Sequence, residues 1–99
     1  MRIYPRPNWP FKVIEEQAVT QAIVAARNTW ARFDEIWDGI VWLIARGLEG
    51  EKLLFGGVEH NIYTYAGDPV AGFPRIVVVY RWGVEAYVLR VLLVSDPVD

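Results

Sequence analysis

The stretch Pro74–Val94, PRIVVVYRWGVEAYVLRVLLV, limits what this chain can fold into. Ile76 to Tyr80 is a β-branched run closed by an aromatic, and Ala86 to Val94 is an apolar run whose only charge is Arg90. Both favour a pleated, packed surface, and Gly83 marks the turn between them. A hairpin with apolar side chains on both faces cannot stand alone in water. Something must cover at least one face, and the first half of the chain is the candidate.

That half carries helical periodicity. From Glu15 to Gly47 there is no proline, and apolar residues recur at Val19, Ile23, Ala26, Trp30, Phe33, Trp37, Ile40, Ile44 and Leu48. Spacings of three and four residues put these on one helix face. Glu15 and Glu16 suit a helix N-terminus, and Arg46-Gly47 suits a C-terminus. A single helix over the whole stretch is long for a domain of this size. Asn28, Thr29 and Asp34 are good N-cap types, so the pattern predicts a helical hairpin broken between Asn28 and Asp34. The second helix, Asp34–Arg46, is apolar on more than one stripe and should be the more buried.

The remaining segments are shorter. Met1–Pro10 is proline-rich and reads as an extended arm, resting on the body through Tyr4 and Trp9. Phe11–Ile14 is either a short edge strand or a lead into the helix. Gly47–Gly57 reads as a connection. His60–Tyr65 alternates as a strand, with Ile62 and Thr64 on one face and Asn61, Tyr63 and Tyr65 on the other. Gly67–Phe73 is turn chemistry, and Ser95–Asp99 reads as a flexible tail. The expected fold is one α+β domain over residues 1–99: an N-terminal arm or short strand, a helical hairpin, then a three-stranded antiparallel meander.

Composition excludes several function classes. The chain has no Cys, which rules out disulfides, zinc–thiolate sites and thiol nucleophiles and fits a cytoplasmic setting. The N-terminus shows no apolar signal-peptide core, and no apolar run is long enough to predict a membrane span. The formal charge is −2, against broad electrostatic capture of nucleic acid. Five Trp, five Tyr and four Phe exceed what a domain this small can bury, so some should be exposed at a partner surface.

His60 is the only histidine and the candidate general acid or base; its alternative role is a plain strand-start residue. Ser95, the only serine, lies in the tail and makes a weak nucleophile. Asp34 and Asp38 lie one turn apart without a third ligand, the pattern of a solvated helix edge. No phosphate-binding glycine motif occurs, and neither a metal nor a cofactor is expected. The sharper feature is arginine on the sheet. Parity sets Arg75, Val77, Val79 and Arg81 on one strand face and Ile76, Val78 and Tyr80 on the other. Arg75, Arg81 and Arg90 either present guanidinium forks to a phosphate backbone or a carboxylate-bearing helix, or pair at the sheet edge with Glu59 or Glu85.

From Phe33 to Val94 the chain resembles the RelE/ParE superfamily of bacterial toxins. The resemblance rests on Gly50-Glu51-Lys52-Leu53, on His60–Tyr65, on Pro74–Tyr80 as the Tyr-Arg-[Ile/Val]-x-Tyr type of strand, and on Tyr87–Val91 as the last strand. It implies a short first strand, a helical hairpin and a meander, with Arg75 at the matching functional position of the middle strand. The implied function is that of a toxin from a type II toxin–antitoxin pair. An antitoxin segment would bind in a groove between helices and sheet, with Arg75, Arg81 and Arg90 as polar anchors. The implied targets are ribosome-associated mRNA, by endoribonuclease action, or a topoisomerase. Ribonuclease members carry Lys or Arg where this chain has Asn61 and Tyr63, and a basic residue with Tyr or His where it has Ser95–Asp99. The alternative is a non-enzymatic interaction module or homo-oligomeric subunit that keeps the fold.

Overall fold

The computed structural model describes the backbone of residues 2–4 and the whole of residues 10–97. The elements run β1 (Arg2–Tyr4), β2 (Lys12–Glu15), α1 (Gln17–Thr29), α2 (Phe33–Ala45), β3 (Glu51–Phe55), β4 (Val58–Tyr65), β5 (Ile76–Trp82) and β6 (Ala86–Val94). A one-turn 3₁₀ helix, Pro69–Ala71, lies between β4 and β5, and the Asp68 side chain accepts from the Ala71 N–H at its start. The class is α+β, as the sequence predicts. Residues 1, 5–9, 98 and 99 and the side chains of residues 2–4 lie outside the described residues, and with them the expected contacts of Tyr4 and Trp9.

The helical hairpin forms where the sequence breaks. Trp30 follows α1 in extended backbone, φ −121° and ψ 113°. It stays in the apolar seam without being helical: its ring is buried, and Nε1 donates to the Ser95 carbonyl at 3.0 Å. Burying this indole is the reason that the seam runs unbroken while the helix does not. An Arg27–Asp34 ion pair spans the break. Glu15 and Glu16 divide the helix start between them. Glu15 ends β2, buried, and accepts from the Thr20 hydroxyl at 2.8 Å. The Glu16 N–H continues the ladder by donating to the Leu89 carbonyl at 3.1 Å.

The expected three-stranded meander is incomplete. Among the described residues the sheet has six strands, in the order β1-β2-β6-β5-β4-β3. Its last four strands in sequence form an antiparallel meander, because Glu51–Phe55, read as part of a connection, is a strand paired with β4. All five of its side chains are exposed, so it lacks the in–out alternation that marks a strand. The legible signal was Gly56-Gly57, whose φ of 61° and 79° suits a two-residue hairpin turn. On the other side, β2 pairs with β6 in parallel and β1 pairs antiparallel with β2, making the sheet mixed. The Phe11–Ile14 region is therefore an interior strand, not an edge.

Both helices pack on one sheet face. Val19, Ile23, Phe33, Trp37, Ile40 and Ile44 meet Val13, Ile76, Val78, Tyr80, Leu89 and Leu92 in one core. Parity places Ile76, Val78 and Tyr80 inward as expected. In β6 the period of two fails. Val79 pairs with Val91 and Tyr80 with Leu89, so Arg90 is the extra residue of a β-bulge. The bulge allows Leu89 and Leu92, three residues apart, to enter the same core. The tail is more ordered than its composition suggests. Ser95 Oγ accepts the Arg75 N–H at 2.9 Å, and the Ser95 N–H donates to the Arg75 carbonyl at 2.9 Å. With Trp30 on its carbonyl, Ser95 extends the β5–β6 ladder.

Candidate functional site

The sheet face opposite the helices gathers the residues that sequence pattern selects. β4 and β5 pair Asn61 with Tyr80 and Ile62 with Val79. Extending that register by one residue sets His60 beside Arg81. Leu53 of β3 faces His60 from its other side, and Val88 of β6 faces Arg81. A row Leu53–His60–Arg81–Val88 thus crosses the helix-free face. Period-two geometry adds Ile62, Val77 and Val79 beside it.

His60 is 1 % exposed, and its Nδ1 lies 2.8 Å from the Val58 carbonyl. A carbonyl only accepts, so Nδ1 carries the proton of that bond. Nε2 is buried and has no hydrogen-bond partner. Phe55 packs edge-on against the imidazole, with ring centroids 5.3 Å apart. Arg81 is half-buried, and its Nε is also buried without a hydrogen-bond partner. These adjacent orphan groups are unusual, because buried polar atoms in folded proteins are nearly all satisfied.

The other two arginines behave differently. Arg90, on the bulge, lies with Nε 2.8 Å from Glu16 Oε1, an ion pair whose N–H is not directed at the carboxylate. The partner is thus Glu16 rather than Glu59 or Glu85: Glu59 sits across from Leu54 on the opposite parity, and Glu85 lies in the β5–β6 turn at φ 63°. Arg75 is exposed just before β5, and its peptide group, not its side chain, is what Ser95 holds. Among the described residues neither Arg75 nor Arg81 forms an ion pair. Leu53, Phe55, Val58 and Leu93 are exposed apolar residues on this same face. The sequence reading left Leu53 and Phe55 in a connection and Val58 ahead of the strand it began at His60, and it gave no sign that Leu93 in β6 is exposed.

A groove between helices and sheet also exists. It has a volume of about 380 Å³ between α2 and β4, lined by Ile36, Gly39, Trp42, Leu43, Tyr63 and Tyr65, with Glu35 at its rim. None of Arg75, Arg81, Arg90 or His60 lines it. The arrangement expected from the sequence, arginine anchors inside a helix–sheet groove, is therefore corrected: register sends the guanidiniums to the far side of the sheet. Asn61 and Tyr63 point to the helix side, where Asn61 Oδ1 accepts from Lys52 Nζ at 2.6 Å.

General acid–base work needs a nitrogen within reach of substrate, and His60 offers none at the surface. Among the described residues no cluster of three or more His, Asp or Glu is placed to hold a metal ion. Among the described residues no helix is long and apolar enough to cross a membrane. The clear proton-affinity shift is structural: Tyr80, whose hydroxyl donates to the Leu48 carbonyl at 2.6 Å, is pushed up to about 12, chiefly by burial and then by nearby Tyr87 and Glu49. The chain matches no protein-family model, no curated protein and no solved structure.

Proposed function

We propose that this chain is a divergent RelE/ParE-like toxin that works by binding a protein across the helix-free face of its sheet. The observation that carries the reading is the gathering of His60, Arg81 and Arg90 on that one face, amid exposed apolar side chains. The order of helical hairpin and meander supports the family likeness. The burial of His60 favours a binding action, such as on a topoisomerase, over cleavage of ribosome-associated mRNA. The antitoxin would occupy either this face or the α2–β4 groove. Induction of the protein alone in a bacterial culture tests the reading. Arrest is expected with wild type and relief with Arg81→Ala, at equal soluble protein and unchanged circular dichroism. Arg75→Ala should likewise keep its melting temperature, because only its backbone is tied to Ser95. Normal growth with abundant soluble wild-type protein overturns the toxin reading.

A second reading, a non-toxic interaction module or homo-oligomeric subunit, is favoured by the exposed edge strand β3. Its sign is a stable symmetric oligomer of constant mass on dilution, with no effect on growth.

A further inference from the structure

We infer that the helix-free face takes an acidic polypeptide segment, with one carboxylate seated on the Arg81 guanidinium. The inference deepens the proposed function by naming the partner's chemistry, and it rests on reading this face as a protein-binding surface. Three observations converge on it.

The first is the unmet hydrogen-bonding capacity. Among the described residues, Arg81 Nε is a buried donor with no acceptor, and His60 Nε2 is a buried nitrogen with no partner. Arg81 has no carboxylate among the described residues, whereas Arg90 has Glu16. A guanidinium edge matches a carboxylate as a two-pronged donor. Phe55, which packs on the His60 ring, and Leu53, the cross-strand neighbour of His60, border this site.

The second is charge. Strand parity sets Lys12, Arg75, Arg81 and Arg90 on this face against Glu16 and Glu51; with the Arg90–Glu16 pair cancelling, Lys12, Arg75 and Arg81 stand against Glu51 alone. The chain as a whole carries −2. The face is thus locally cationic on an acidic protein, which selects an anionic partner. The third separates protein from nucleic acid. Leu53, Phe55 and Val58 are exposed at or beside the row, and Leu93, 61 % exposed, lies on the same face further along the strands, opposite Val77. Apolar surface mixed with isolated guanidiniums fits a segment alternating acidic and apolar residues. A phosphate backbone would seek a continuous basic stripe.

The test is selection of a random peptide display library on the intact protein, followed by ¹⁵N NMR with a selected peptide. The expected result is enrichment of Asp and Glu between apolar residues, a shift of the Arg81 Nε–H resonance on binding, and at least about tenfold weaker binding to Arg81→Gln. Leu93→Glu, at an exposed position outside the core, should weaken the same peptides by adding like charge, which guards against a folding defect in Arg81→Gln. Peptides that bind this face without acidic bias would overturn the inference and leave the face as a protein surface. Peptides that shift only the residues lining the α2–β4 groove, with no change at Arg81, would overturn the inference and place the partner in that groove. Displacement of a bound acidic peptide by hexauridylate, with hexauridylate the tighter ligand, would assign the face to nucleic acid and overturn the inference.

Discussion

Tyr80→Phe should cost stability at neutral pH and cost less in alkali. Tyr80 is fully buried, and its hydroxyl donates to the Leu48 carbonyl at 2.6 Å, fastening β5 to the link between α2 and β3. Removing the hydroxyl leaves that carbonyl without its donor, a loss of about 1–3 kcal/mol. The hydroxyl also titrates late, raised from 10.0 to about 12 in the fold. Above pH 10 the unfolded chain releases this proton while the native state holds it, so the native state binds more protons and its stability falls as pH rises. Near pH 11 that term removes about 1.4 kcal/mol from wild type, from a two-unit displacement seen halfway. The variant has no such term. Urea denaturation of both proteins, followed by tryptophan fluorescence at pH 7 and near pH 11, gives the two differences. The advantage of wild type should shrink by about 1.4 kcal/mol between them. An advantage that stays constant or grows would mean that Tyr80 ionises as in an unfolded chain, and the buried-donor account would be wrong.

Trp37→Ala should destabilise by about 3–5 kcal/mol in denaturant titration, because Trp37 is 0 % exposed and stacks on Phe33 in the centre of the core. A midpoint equal to wild type would place it at the surface. Gly39→Ala should stabilise by about 0.5–1 kcal/mol, since a Cβ there meets nothing within 4 Å and alanine restricts the unfolded chain in a helix interior. A lower melting temperature would show that the groove beside α2 needs the bare backbone.

Much of the architecture is written in local pattern. The helical seam from Val19 to Ile44, its break near Trp30 and the inward side of β5 all follow from periodicities that a few neighbouring residues carry. Arg81 and Arg90 stand out in the sequence as charges inside apolar strands, Arg75 as a charge at the head of one, and His60 as the only histidine. Local pattern did not reach what distant segments impose. The parallel pairing of β2 with β6 joins opposite ends of the chain, and only that pairing brings Glu16 to Arg90. The bulge at Arg90 exists because Leu89 and Leu92 must both enter a core built by other elements. Strand β3 is held by β4 alone, so its exposed side chains record no burial. Ser95 is ordered by Arg75 and Trp30, not by its own neighbours. The sequence by itself determined which residues turn inward within each element, since that depends on rise and twist per residue. The tertiary structure decided which elements touch, and so that His60 and Arg81 share the face without helices, because strand order and register are settled by packing the whole sheet at once.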